Sequence, residues 1–400
     1  MVIKNIRSIC FFSIVLIFSF NVFAKNSDKS IIEIGNCYQL QDITKMEANY
    51  VQVSDIDCSS INQHKPIGDG SKPFIGSYDG QNFTITGITF VQKGDDYNGE
   101  NAGLFGIVKN ATIKRVVLTD YYIEATSGDA GALAGVADVS IIENSYAQNG
   151  KVVGGDRSVG GLVGYSRDSH IMNTYAKGEV VGKDSLYSVN VGGLVGHSHS
   201  DLIENSYAAG NVKAYANVAG GLIGRSYATE IVNCYATGDV SSTRGSVGGL
   251  IGETWVTDLY KTYATGNVTA EGSYVGGLVG YADGGGTIEN SYAQGNVTGE
   301  RYVGGAIGYE AWAANYINIY AVGLVEGENA GGLIGQMISY FPPNIIASYW
   351  DTETSGQTFS EGGEGRTTSQ MKLLDTSIPT YEGWNENVWF FEENEYPVLF

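Results

Sequence analysis

The sequence is short of proline, with six in 400 residues, and of histidine and cysteine, with four each. So little proline beside 56 glycines and 27 tyrosines excludes collagen and a disordered linker, which pair glycine with proline and carry few aromatics. The four histidines, His64, His170, His197 and His199, form no His-Glu-x-x-His pattern, so the zinc-peptidase helix is missing. Basic residues are also few, 23 against 43 acidic. Nucleic acid and anionic lipid both need a cationic footprint, so a balance of −20 argues against either partner. The acidic surplus reads first as a solvated surface.

Long apolar runs are missing too, except near the start. Cys10 to Phe20 is apolar, Lys4 and Arg7 precede it, and Val22-Phe23-Ala24 places small residues at −3 and −1 of a cleavage site. The run falls short of the ~20 residues of a membrane span, so residues 1–24 read as a signal peptide. The mature chain is expected to be secreted or held at the cell surface, with no membrane span. Without Lys4 and Arg7 it carries 21 basic and 43 acidic residues, a balance of −22. Its remaining cysteines are Cys37, Cys58 and Cys234. Export permits a disulfide, and Cys37 and Cys58 share one non-repetitive segment, so they are the expected pair. Cys234 holds a repeat position otherwise given mostly to Ser or Thr and reads as a small filler.

What the sequence has is a repeat. Gly-Leu-apolar-Gly blocks recur, among them Gly161-Leu162 to Gly164, Gly193-Leu194 to Gly196, Gly221-Leu222 to Gly224, Gly249-Leu250 to Gly252 and Gly277-Leu278 to Gly280. With looser copies, the closing glycines fall at 106, 135, 164, 196, 224, 252, 280, 308 and 335, so nine units of about 28 residues follow one another. A second anchor follows each block, as in Ile203-Glu204-Asn205-Ser206-Tyr207. Ile, Asn and Tyr stand two apart and should share a strand face, with Glu and Ser or Thr on the other. That parity predicts inward tyrosines at 146, 175, 207, 235, 263, 292, 320 and 349. An outward stripe suited to sugar rings is the alternative. A third anchor, Gly210-Asn211-Val212 and its equivalents, suits a tight turn with positive φ.

Each unit thus reads as about three short strands between glycine turns, unable to bury its apolar side alone. Stacked units bury a continuous core and align equivalent residues ~4.8 Å apart, which predicts asparagine and tyrosine ladders. The fold class is all-β, a solenoid of the parallel β-helix kind, with stacked antiparallel sheets as the alternative. The divisions are a signal peptide at 1–24, an N-terminal cap at 25–101, repeats at 102–349 and a C-terminal cap at 350–400. Within the first cap the pattern predicts a helix over Leu40–Met46, a strand over Tyr50–Asp57 and a hairpin-like run from Tyr78 to Phe90.

At these residues the chain resembles the GLUG-motif proteins, named for Gly-Leu-hydrophobic-Gly. The family is found in bacterial secreted and cell-surface proteins, adhesins and non-catalytic parts of IgA-specific peptidases among them. Cys37-Tyr38-Gln39-Leu40, Asp55-Ile56-Asp57-Cys58 and Pro66-Ile67-Gly68 are similar to its usual lead-in, and Tyr349-Trp350-Asp351 to its usual end. The resemblance implies an architecture and no particular chemistry.

A search for chemistry finds no Gly-x-Ser-x-Gly elbow, no Cys/His dyad and no nucleotide loop, and no cofactor is expected. His197 and His199 share a strand parity, without a third metal ligand in sight. Asp351 and Glu353 beside Trp350 form the densest aromatic–acid cluster, read as cap packing. The expected function is a non-catalytic, adhesin-like binding scaffold whose partner is an extracellular glycan, matrix or neighbouring cell surface. The alternative is a β-helix polysaccharide lyase or glycoside hydrolase.

Overall fold

A computed structural model of the chain describes residues 31–92, 101–185, 189–215, 218–338, 342–374, 377 and 379–400. The signal peptide read at residues 1–24 lies outside them. The chain winds into a β-solenoid of about ten turns. Its strands form three sheets that run the length of the column, and rungs pair in parallel throughout. Among the described residues the one antiparallel pair is Trp389–Phe390 with Val398–Leu399, at the C-terminal end. Parallel pairing settles the choice between a β-helix and stacked antiparallel sheets.

One turn can be followed from the motif. Val195–His199 lies in the nine-stranded sheet, then Leu202–Glu204 and Tyr207–Ala208 in the largest sheet. Val212–Ala214 and Val218–Gly220 follow in the third sheet, before the next motif begins. Two of the three expected strands per unit are therefore bent into pairs.

The bend in the largest sheet overturns the predicted parity. Asn144, Asn173, Asn205 and Asn233 adopt φ of 49°, 52°, 50° and 53°, the left-handed region that asparagine tolerates best after glycine. A left-handed residue between Ile and Tyr reverses the alternation. Ile171, Ile203 and Ile231 stay buried, while Tyr175, Tyr207 and Tyr235 turn outward and are half-buried. The intervening Ser or Thr goes inside instead. There Ser206 Oγ donates to Glu204 O at 2.8 Å and accepts from Thr174 N of the preceding rung at 3.1 Å. The hydroxyl satisfies an amide that the bend leaves without a strand partner. Cys234 performs part of this duty: its thiol donates to Val232 O at 3.2 Å, and burial pushes its pKa up to about 12. It is an inert filler.

Glycine also works differently from expectation. Gly178, Gly210, Gly238 and Gly266 are absent from the positive-φ residues. A Cβ on Gly210 would stand 1.9 Å from Gly178 O of the preceding rung, so the requirement is close approach of stacked backbones.

A second left-handed corner joins the nine-stranded sheet to the largest one, at Asn110, Val139, Asp168, Ser200, Ala228 and Val256. Valine is a poor choice there, since β-branching is most strained in this region. Val256 has φ of 50° and is half exposed, so Val256→Asn should raise unfolding stability by about 1 kcal/mol. Denaturant unfolding checks it, and a loss of stability would show that valine packing outweighs the strain.

The flanks belong to the same column. Ser77–Asp79 pairs in parallel with Thr112–Lys114, and Thr84–Thr86 with Val117–Thr119, so the hairpin expected from Tyr78 to Phe90 is a solenoid turn. The expected helix is shorter and earlier, Cys37–Gln41, capped by Asn36 accepting from Gln39 N at 3.0 Å. The expected strand splits into Asn49–Gln52 and Ile56–Asp57. Cys37 and Cys58 are joined, with Cα atoms 5.2 Å apart, and tie that helix to the first turns. At the other end Tyr349–Asp351 pairs with Glu364–Arg366, carrying the sheet past residue 350.

Candidate functional site

The largest and the nine-stranded sheets both carry outward aromatic side chains, and their ring geometry separates the two faces. On the largest sheet Tyr146, Tyr175, Tyr207, Tyr235 and Tyr263 stack in sequence, centroids 4.2 to 5.0 Å apart and planes within 19° of parallel. This is the expected tyrosine ladder. Each ring face is covered by the next ring, so only edges and hydroxyls meet solvent. A sugar needs a bare ring face, and this ladder presents few.

The nine-stranded sheet differs. Its motif glycines begin short strands, Val163–Arg167, Val195–His199, Ile223–Tyr227 and Ile251–Trp255. In each, the first residue and the fourth point inward: Val163, Val195, Ile223 and Ile251, then Ser166, Ser198, Ser226 and Thr254, all buried. The third and fifth point outward. Successive rungs thus set Tyr165, His197, Arg225 and Glu253 in one column, and Arg167, His199, Tyr227 and Trp255 in the other.

These columns line a recess of about 460 Å³ bounded by Tyr165, His197, His199, Arg225, Tyr227, Glu253 and Trp255. Tyr227 and Trp255 are exposed, at 43% and 41%. The rings are turned rather than stacked: Tyr165 meets His197 edge-on at 5.2 Å, and His199 is tilted 43° to Tyr227 at 4.9 Å. Between the aromatics Arg225 clamps Glu253 Oε2 through Nε at 2.9 Å and Nη2 at 2.6 Å. Ser246 Oγ donates to the other oxygen, Oε1, at 2.9 Å. Both carboxylate oxygens are engaged, which fixes a planar charged pair in the floor. Burial, then Arg225 and His199, lowers the His197 pKa to about 4, so its imidazole is neutral near pH 7.

A second recess of about 340 Å³ adjoins the first and shares Tyr165 and His197. Asp129, Ser158 and Asn190 line its wall from three successive rungs. Burial raises the pKa of Asp129. Asn190 Oδ1 is buried there and has no hydrogen-bond partner among the described residues.

Leu162, Leu194, Leu222, Leu250 and Leu278 are fully buried, and their flanking glycines pack rung on rung beneath the groove. His197 and His199 share the groove face. Among the described residues the one cluster of three potential ligands is Cys37, Cys58 and His64, whose cysteines are bonded to each other. Asp351 is buried and accepts from Thr368 Oγ1 at 3.0 Å and Tyr396 Oη at 2.7 Å, while Glu353 accepts from Thr368 N at 2.9 Å. Both acids pin the C-terminal segment. Tyr165, Arg225, Tyr227, Glu253 and Trp255 escaped sequence reasoning. Their signal was available: they vary at fixed register, one and three places after a repeated glycine.

Fold and site define a parallel β-solenoid repeat protein with a side groove of non-repeating residues. The model of the GLUG motif matches residues 155–181, 187–213, 215–241 and 271–298, so these turns of the column are GLUG repeats. Over 142 residues, 33% of the chain, it is 33% identical to halomucin of Haloquadratum walsbyi, and the match takes in 2% of that protein. Among solved structures it is similar to a chain described as an IgA1 protease, with a TM-score of 0.52 at 21% identity. That match covers 66% of this chain and 21% of the other and concerns the fold alone.

Proposed function

We propose that this is a surface or secreted repeat protein that binds a polysaccharide, without cleaving it, along the nine-stranded face. The observation that carries the reading is the groove of Tyr165, His197, His199, Arg225, Tyr227, Glu253 and Trp255. Tilted, exposed rings offer faces to the apolar side of a sugar, and the fixed Arg225–Glu253 pair offers planar donors and acceptors to its hydroxyls. The recess is open along the column, as an extended chain of sugars requires. The acidic balance of −20 favours a neutral glycan over an anionic one. The GLUG repeats and the halomucin match support the surface or secreted setting.

The test offers the pure protein a polysaccharide panel and measures retention and bond cleavage together. Retention of a neutral glycan should fall about tenfold or more in Trp255→Ala and Tyr227→Ala, with the β spectrum unchanged. Retention that ignores both substitutions would remove this groove from consideration. Cleavage abolished by one acidic substitution would replace the scaffold reading with an enzyme.

A further inference from the structure

We infer that the uncovered part of the tyrosine ladder is a second docking site, and that it takes a tryptophan-bearing extended peptide. The inference concerns the largest sheet and stands apart from the groove reading.

The ladder passes from half-buried to buried along the column. Tyr175, Tyr207 and Tyr235 are half-buried, whereas Tyr292, Tyr320 and Tyr349 are 4%, 0% and 7% exposed. What covers the later rungs is the chain's own C-terminal segment. Trp389 lies with its ring centre 6.0 Å from both Tyr292 and Tyr320, and Trp384 lies 6.2 Å from Tyr349. The contact is also polar. Trp389 Nε1 donates to Asn290 Oδ1 at 3.0 Å, and Tyr320 Oη donates to Pro397 O at 2.6 Å. A stack that hides its ring faces therefore still binds through edges, hydroxyls and the neighbouring carboxamides.

The uncovered rungs repeat that equipment at the same spacing. Asn205 precedes Tyr207 and Asn233 precedes Tyr235 just as Asn290 precedes Tyr292, all three asparagines at φ of 50° to 53°. Asn233 Nδ2 donates to Asn205 Oδ1 at 3.1 Å, as Asn318 does to Asn290 at 3.2 Å, so the carboxamides are held in the same orientation. Tyr263, where the cover ends, stacks on the covered Tyr292 at 4.9 Å, so the free surface is continuous with an interface already formed. The occupant this surface fits has the chemistry of the chain's own cap: tryptophans for the ring edges and an indole N–H for asparagine.

The experiment adds a fluorescently labelled peptide of residues 379–400 to the full-length protein and follows polarisation. Saturable binding is expected, weakened at least tenfold when the peptide carries alanine for Trp384 and Trp389. In the protein, Tyr207→Ala with Tyr235→Ala should abolish it. Because that change could disturb the stack, Asn205→Gly with Asn233→Gly is the second variant: glycine keeps the left-handed backbone and removes the indole acceptor. It should weaken binding roughly fivefold. No binding at millimolar peptide would overturn the inference. Binding unchanged by both protein variants would overturn it too, since the peptide would then be entering the cap's own seat.

Discussion

Gly221→Ala is expected to lower unfolding stability by about 3 kcal/mol or more, although it adds a single methyl. A Cβ at this position would stand 2.1 Å from Gly249 O of the next rung and 2.9 Å from Ala236 Cβ. The first obstacle is backbone, which cannot rotate aside as a side chain would. The rungs would have to separate, breaking the parallel pairing on which the column depends. In a stack where each turn touches only its neighbours, a forced gap divides the molecule into two shorter columns. Gly70→Ala provides the comparison, because a Cβ there meets nothing within 4 Å and should change stability by less than about 0.5 kcal/mol. Urea unfolding followed by circular dichroism measures both. A loss below about 1 kcal/mol at Gly221 would mean that the column breathes enough to admit the methyl.

The second large effect depends on pH. Asp201 is buried in the core column that holds Ser140, Ser169, Thr229 and Thr257 on other rungs. Its Oδ2 accepts from Ser198 Oγ at 2.6 Å and its Oδ1 from Ser169 N at 2.8 Å. Burial outweighs these bonds and raises its pKa from 3.8 to about 7. With the folded pKa above the unfolded one, the contribution is fully present below pH 3.8 and is lost as pH rises to about 7. Across that window ionisation costs about 4 kcal/mol. His197, lowered to about 4, acts oppositely, losing its contribution as pH falls below its unfolded value of 6.5. The wild-type profile therefore mixes the two, and the difference from Asp201→Asn isolates the carboxyl. Asparagine can keep both contacts with Ser198 and Ser169. The variant should match wild type near pH 4 and exceed it by about 4 kcal/mol at pH 8. A difference that does not change with pH would show that Asp201 is ionised at no such cost.

The column itself was legible because its cause is repetition. Equally spaced glycines and buried Leu162, Leu194 and Leu222 require stacked turns whatever the local detail. The direction of the tyrosines was not legible from alternation, because one left-handed residue reverses parity. Asn205 was nonetheless the visible clue: a carboxamide kept between Ile203 and Tyr207 marks a corner more than a strand. The groove was missed for the converse reason. A search for repeated residues passes over positions such as Arg225 and Trp255, whose value lies in differing from their counterparts.

The separation of inward from outward residues in the nine-stranded sheet has a consequence for how such a protein can change. Specificity and reach are independent variables. Exchanging Tyr227 or Trp255 alters one contact while the buried Ile223 and Ile251 go on stacking as before. Duplicating one 28-residue turn leaves every existing contact intact and displaces one end of the molecule from the other by ~4.8 Å. A lineage can therefore lengthen its grip in steps comparable to a single sugar residue, and rewrite each step by itself.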